Sequence, residues 1–219
     1  FRKVTQLVET IRQQLKGNDD GDAPAGASSP VELANKENIA SVVMAHRSSD
    51  WRIHHNRGTS LIIEEDYWTY SMTDPGIAED TVNWLKDRDY LGPDKKFCDP
   101  FMGNGLLVHL VNAMTGAYVT GFERNSGIFA EAVNTSKELA KSGVINPGRV
   151  RLINGDSTEA SLQPYDVFYI FPPWMDGVPD PWLVTSTISR MKAGAIMVLN
   201  TNINPRSFYQ WSYPIEHLI

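Results

Sequence analysis

The stretch Lys96-Phe97-Cys98-Asp99-Pro100-Phe101-Met102-Gly103-Asn104-Gly105-Leu106 decides how this chain reads. Its first four residues make a short β-like run ending in an acid, and Leu106–Thr115 reads as a helix. Between them Gly103 and Gly105 let the backbone turn tightly and come close to a ligand. The helix that starts near Leu106 aims its free N–H groups at that ligand, which favours a carboxylate or a phosphate.

The same strand-then-helix texture extends outward. Further β-like runs occur at Tyr118–Glu123, Arg149–Asn154, Asp166–Phe171 and Ala195–Asn200, with helical segments at Ser126–Ser142 and Pro181–Met191. This alternation predicts an α/β domain built on a doubly wound, mostly parallel sheet. Upstream the pattern is mainly helical. Val4, Leu7, Val8, Ile11 and Leu15 fall at helical spacing over residues 2–16, and Gly17–Pro30 is a linker without large apolar residues. Residues 31–46 are helical after Ser29-Pro30, two short strands (Ser60–Ile63 and Tyr67–Ser71) flank the Glu64-Glu65-Asp66 turn, and a helix runs from Pro75 to Tyr90. Gly92-Pro93 is its expected stop. The expected organisation is thus an N-terminal helix (1–16), a linker (17–30), a helical and hairpin region on the substrate side (31–92), and the α/β domain (93–219).

In an open α/β sheet, ligands bind beyond the carboxyl ends of the strands, so the residues that follow each strand are the candidate site. The second strand ends at Glu123, 24 residues after Asp99, where an acid grips a ribose diol. The third ends in Asn154-Gly155-Asp156-Ser157, where a carboxylate can accept from an exocyclic amine such as that of adenine. The fourth ends in Phe171-Pro172-Pro173-Trp174, a stiff loop whose prolines have no N–H to donate. Each acid at a strand end also has an ordinary reading as a helix cap.

Three ligand classes compete for these ends. A phosphate-binding P-loop needs Lys-Ser/Thr after its glycines, and here Gly105 is followed by Leu106-Leu107. A dinucleotide fingerprint wants a third glycine where this chain has Val108, which disfavours NAD and FAD without excluding them. The third class is S-adenosylmethionine.

Asp99-Pro100-Phe101-Met102-Gly103-Asn104-Gly105, the acidic ends at Glu123 and Asp156, and the Pro172-Pro173-Trp174 loop together resemble the class I S-adenosylmethionine-dependent methyltransferases, over Lys95–Asn200. The first and last of these motifs are similar to the branch that methylates amino groups, of nucleobases or of a glutamine side chain. The resemblance implies that Asp99, Gly103 and Gly105 form the methionine-side pocket, with Pro100, Phe101 and Asn104 of the same loop on the cofactor. It places Glu123, with Arg124 beside it, on the ribose, and Asp156 with Ser157 at the adenine. It makes Thr73, in the Ser71–Pro75 turn, the candidate for closing over the cofactor. It gives catalysis to Phe171, Pro172, Pro173 and Trp174, and it expects a closing antiparallel hairpin, for which Ser207–Tyr213 and Ile215–Ile219 are the candidates.

One departure stands out. The branch carries Asp or Asn before Pro-Pro, and its side-chain oxygen holds the target amine. This chain has Phe171, so only the backbone carbonyls of Phe171 and Pro172 are left for that task. The expectation is a methyltransferase whose acceptor is a nucleic acid or a protein, and the alternative is a cofactor-binding module without turnover.

Composition narrows the partners. With 42% apolar and 21% charged residues in 219, the chain is of ordinary globular make-up, and its apolar runs fall far below the ~18 residues that span a bilayer. A net charge of −6 makes the whole molecule no magnet for a nucleic-acid duplex. The single cysteine, Cys98, allows no internal disulfide and no cysteine-rich zinc site, and fits a reducing, intracellular and cytoplasmic setting. No metal is expected: the adjacent His54-His55 point to opposite faces of a strand. The chain opens on Phe1, so the lack of a leader carries no weight.

Overall fold

The computed structural model describes residues 30–48, 61–62, 69–70, 73–171, 174–175, 178–179 and 181–200. The helix expected at 2–16, residues 17–29 of the linker, His54-His55, the Glu64-Glu65-Asp66 turn, Pro172, Pro173 and the closing hairpin lie outside that set.

The N-terminal part contributes α1 (Pro30–Ser48), the short strands β1 (Leu61–Ile62) and β2 (Thr69–Tyr70), and α2 (Pro75–Lys86). The start of α2 is locally encoded. Asp74 accepts from the Gly76 and Ile77 N–H groups at 2.8 and 3.2 Å, and Pro75 occupies the first turn, where its missing N–H costs nothing. The sequence predicts a helix to Tyr90, but α2 ends at Lys86. The cause is Asp89, which adopts a left-handed φ of 57° while Tyr90 N–H folds back to the Leu85 carbonyl at 2.9 Å, a Schellman closure three residues ahead of Gly92-Pro93.

The α/β part follows as β3 (Lys96–Asp99), α3 (Leu106–Thr115), β4 (Tyr118–Glu123), α4 (Ser126–Lys141), β5 (Val150–Asn154), β6 (Val167–Ile170), the two-residue strands β7 (Trp174–Met175) and β8 (Val178–Pro179), α5 (Pro181–Ile188) and β9 (Ile196–Leu199). Strands β3, β4, β5, β6 and β9 form a sheet in the order β5-β4-β3-β6-β9, with every neighbouring pair parallel. The chain runs outward from β3 to β5 and then crosses back to β6, so the strand order reverses between β3 and β6. Their carboxyl ends flank the crevice where such sheets bind ligands.

Both faces of the sheet are covered, as parallel strands require. Phe97, Val119, Val167 and Tyr169 pack beneath α3, whose residues are buried almost all round, as befits a core helix. Helices α1 and α2 lie over α3 as a second layer, and α1 also touches α4. On the opposite face Cys98, Phe122, Phe168 and Ile170 pack with Leu162 and with Val184 of α5. Cys98 is buried, and burial pushes its thiol well above its ordinary range, with the Asp99 charge adding to the shift. That is the environment of a structural cysteine.

The residues after β6 do more than form a stiff loop. β7 and β8 pair as an antiparallel ribbon, and Thr69 of β2 pairs with Trp174 of β7, giving a small sheet in the order β1-β2-β7-β8. The N-terminal hairpin is thereby hydrogen-bonded to the segment that leaves β6. Among the described residues no helix is long and apolar enough to cross a membrane.

Gly121 of β4 pairs with Asp99, and a Cβ there would sit 3.0 Å from Cβ of Met102 and 3.0 Å from Cγ2 of Val108. This close approach lets the loop after β3 tuck against β4. Gly121→Ala is expected to destabilise the fold by about 1–3 kcal/mol through overpacking, read as a lower urea midpoint. An unchanged midpoint would contradict this packing.

Candidate functional site

The site is built on the loop that joins β3 to α3. Asp99 ends the central strand with 4% of its surface exposed, and its Oδ1 accepts the Phe101 N–H at 3.0 Å. Burial raises its pKa to about 7; the Phe101 N–H opposes the shift, and the nearby Glu123 charge adds to it. The loop then turns on Gly103 (φ 56°) and Gly105 (φ 84°), left-handed positions that disfavour a side chain. The Met102 N–H bonds to the Phe122 carbonyl, and the Gly105 N–H to the Met102 carbonyl, each at 2.9 Å. Asn104 is buried, and its Oδ1 accepts the Leu106 N–H at 3.3 Å. Its structural work is therefore to begin α3, where Gly105 has no side chain to do so.

Glu123, at the end of β4, accepts the Asn125 N–H on Oε1 at 2.7 Å. Burial raises its pKa, and the N–H groups of Asn125, Gly103 and Arg124 pull it the other way. Glu123 thus meets the glycine loop, and the structure brings Asp99, Gly103 and Glu123 together. Arg124 is exposed, Pro100 is buried, and Phe101 packs against the face that carries Cys98.

The end of β5 is tied to the end of β4. Asn154 Nδ2 donates to the Glu123 and Arg124 carbonyls at 2.8 and 3.2 Å, and the Gly155 N–H bonds to the Glu123 carbonyl at 3.0 Å. Asp156 is exposed and takes the cap reading: its Oδ1 accepts Thr158 N–H at 2.8 Å and Thr158 Oγ1–H at 2.7 Å, at the head of a short 3-10 turn, Ser157–Glu159. Ser157 is buried, and its carbonyl accepts Arg190 Nη1–H at 2.6 Å. The same Arg190 nitrogen donates to the Ala160 carbonyl at 2.9 Å. Arg190, just beyond α5, shapes this loop from a distant part of the chain.

Thr73 comes to the other side of the crevice. Its Oγ1 lies 3.1 Å from the hydroxyl of Tyr169 on β6, and Asn200, which follows β9, donates Nδ2–H to that same hydroxyl at 2.7 Å. Burial raises the Tyr169 pKa, the Thr73 and Asn200 hydrogen bonds oppose this, and the Asp99 charge adds to it. Phe171 is buried within the core that includes α3. Pro172 and Pro173 are outside the described residues, and of Trp174 only the strand pairing is described.

A further polar pair supports the glycine loop from behind. His46 of α1 bonds through Nδ1 to the Val42 carbonyl at 2.8 Å, and its Nε2 lies 3.0 Å from Nδ1 of His109 on α3. The carbonyl assigns the His46 proton to Nδ1, which leaves Nε2 to accept from His109 Nδ1–H. Burial lowers His46 to about 4, against backbone hydrogen bonds to Val42, Asn104 and Gly105, and places His109 well below its ordinary value, with His46 adding to that. A Cβ on Gly105 would meet His109 Cε1 at 3.0 Å. The pair is neutral and structural. Sequence reading missed His46, His109, Tyr169, Arg190 and Asn200. The available signal was two histidines and a tyrosine inside otherwise apolar runs.

No protein-family model matches the chain, and no curated protein matches its sequence. Among solved structures, an RNA methyltransferase from Salinibacter ruber in complex with S-adenosyl-L-homocysteine is 21% identical, covering 59% of this chain and 76% of its own, with a TM-score of 0.46. A SAM-dependent methyltransferase from Thiobacillus denitrificans, also in complex with S-adenosyl-L-homocysteine, is 19% identical, covering 63% of this chain and 52% of its own, with a TM-score of 0.46. A tRNA (m1A58) methyltransferase from Aquifex aeolicus is 16% identical over 67% of this chain and 54% of its own, with a TM-score of 0.49. The chain spans about half the length of the last two.

The buried carboxylate gives a pH prediction. A folded pKa near 7 for Asp99, above its unfolded value, means that the ionised form is penalised in the fold. That penalty is absent at low pH and grows as pH rises from about 4 to about 7. Asp99→Asn removes it, so the variant should gain stability over the wild type between pH 5 and pH 8, by up to about 3–4 kcal/mol. Parallel urea-midpoint profiles for the two proteins would contradict it.

Proposed function

We propose that this chain is a class I S-adenosylmethionine-dependent methyltransferase acting on an amino nitrogen of a nucleobase in single-stranded nucleic acid. The observation that carries the reading is the pair of carboxylates, Asp99 buried and Glu123 half-buried, at the ends of neighbouring strands around a left-handed glycine turn. The donor set fits the cofactor's chemistry. An ammonium and a sulfonium favour the ionised form of Asp99, a ribose diol donates to Glu123, and an adenine suits the end of β5, whose loop is held by Arg190. When bound, the cofactor supplies an activated methyl, and the protein supplies alignment and desolvation. No metal is invoked; among the described residues no group of three or more His, Cys, Asp or Glu is placed to hold one.

The acceptor side is supported by the small sheet. Pairing of Thr69 on β2 with Trp174 on β7 sets β2 beside the segment that leaves β6, which supports reading that side of the crevice as the acceptor side. Trp182, 63% exposed at the head of α5, offers a flat apolar surface suited to stacking a base. The second reading, a cofactor-binding module without turnover, is favoured by Phe171, which lacks the oxygen an amino acceptor needs.

Two measurements test this. Calorimetry should show S-adenosylhomocysteine binding that is tighter at pH 8 than at pH 6, because the ligand's cation displaces the Asp99 proton; no heat at millimolar ligand would contradict the cofactor assignment. Labelled S-adenosylmethionine should methylate a short RNA containing all four bases, but not the same RNA built with nucleosides that lack exocyclic amines. Label on a glutamine-containing peptide instead would move the acceptor to protein, and binding without any transfer would favour the module.

A further inference from the structure

The amino-group chemistry proposed above needs a hydrogen-bond acceptor that Phe171 does not have, and the sheet places one next to it. Strands β6 and β9 run in parallel register with Ile170 opposite Leu199, and the Asn200 N–H bonds to the Ile170 carbonyl at 2.8 Å. Asn200 is therefore the cross-strand neighbour of Phe171 at the carboxyl rim of the sheet. Its side-chain amide reaches the hydroxyl of Tyr169, which carries Thr73 Oγ1 on its other side. Tyr169 lies on the strand beside β3 and within electrostatic reach of Asp99. Neighbouring strands thus deliver Asp99, Tyr169 and Asn200 to one rim, with the proposed cofactor pocket at one end of the row and Asn200 at the other.

We infer that Asn200 is the acceptor-side catalytic residue of this chain, its Oδ1 receiving an N–H of the target amine in place of the Asp or Asn that the amino-methylating branch carries before Pro-Pro. The inference rests on the methyltransferase reading.

The hydrogen-bond directions support the assignment. Asn200 Nδ2 donates to Tyr169, which leaves the phenolic hydrogen for Thr73 Oγ1 and turns Oδ1 of Asn200 away from that contact. Oδ1 takes no hydrogen bond from the described residues, and Asn200 is only half-buried, so an incoming ligand can reach it. Tyr169 is 1% exposed and held from two sides, so it acts as a positioning residue that presents Asn200 in one orientation.

The chemistry needs no base on the protein. An N–H bonded to Oδ1 orients the amine so that the nitrogen lone pair faces the methyl carbon. The nitrogen–carbon bond forms from that lone pair as the carbon–sulfur bond breaks, and its electrons return to sulfur, which becomes a neutral thioether. The nitrogen then carries one proton too many and loses it to water.

The test uses the full chain and three variants, Asn200→Asp, Asn200→Ala and Tyr169→Phe. The first readout is binding: S-adenosylhomocysteine-saturated protein is titrated with the four-base RNA and with its amine-free counterpart, followed by fluorescence anisotropy. The wild type should prefer the amine-bearing RNA by about 10-fold, the worth of one hydrogen bond left unmade. Asn200→Asp should keep the preference because it keeps the oxygen, and Asn200→Ala should lose it. Tyr169→Phe should reduce it while leaving affinity for S-adenosylhomocysteine within about 2-fold of wild type. The second readout is turnover, where Asn200→Ala should lower kcat about 10–100-fold with KM for the methyl donor unchanged, and Asn200→Asp should restore most of it.

Three outcomes overturn the inference: no preference in the wild type, a preference that survives in Asn200→Ala, or an Asn200→Asp variant as impaired as Asn200→Ala. The last would mean that the amide presents its NH2 group instead. Failure of the wild type to bind S-adenosylhomocysteine is a different result, and it removes the methyltransferase reading itself.

Discussion

A carboxylate at the end of the central strand, sealed from water, is costly to ionise. Asp99 receives one backbone N–H, from Phe101, and has a second carboxylate, Glu123, nearby. Neither neighbour repays the loss of water, so Asp99 titrates near neutral pH instead of in the ordinary carboxylate range. Gly121 lets Met102 lie against β4, the two left-handed glycines return the chain toward the strand ends, and Asn104 starts α3 in place of the capless Gly105. A ligand bringing positive charge and hydroxyl donors relieves both acids at once. On the proposed reading, the cost of ionising Asp99 beside the half-buried Glu123 is what favours such a ligand.

The second layer of helices follows from the same constraint. Because α3 is buried almost all round, the glycine loop at its head cannot be braced by solvent-facing residues. It is braced by α1, through the neutral His46–His109 pair. Burial holds both rings uncharged over the physiological range, so the brace does not respond to the proton that Asp99 exchanges. Tyr169 performs a corresponding task at the β6–β9 rim by joining Thr73 to Asn200. The two polar clusters, one behind the cofactor loop and one at the β6–β9 rim, give the site two walls of different origin.

The parts of this site that were legible in the sequence are those governed by local rules. β3, α3 and β4 have the bounds that their apolar runs and glycines predict, and α2 starts where Asp74-Pro75 says it should. Asp99 and Glu123 were legible because strand ends in a parallel sheet converge by topology. Asp156 was legible only as two alternatives, and its exposed cap geometry is the plainer of them. What escaped notice depends on contacts between distant residues. Thr73 and Tyr169 are 96 positions apart, and His46 and His109 are 63 apart, and such pairs leave no periodic trace. The β2–β7 pairing escaped for the same reason, each strand being only two residues long. The early end of α2 escaped because a left-handed aspartate was not among the expected stop signals.

The central claim is that the crevice beyond β3, β4 and β5 is one ligand site organised by Asp99 and Glu123. Amide hydrogen exchange with and without S-adenosylhomocysteine tests it most directly. The account predicts slowed exchange concentrated at Phe101–Leu106, Glu123–Asn125 and Gly155–Thr158, with α2 and the amino-terminal ends of the strands unchanged. Protection elsewhere, or none under saturating ligand, would contradict it.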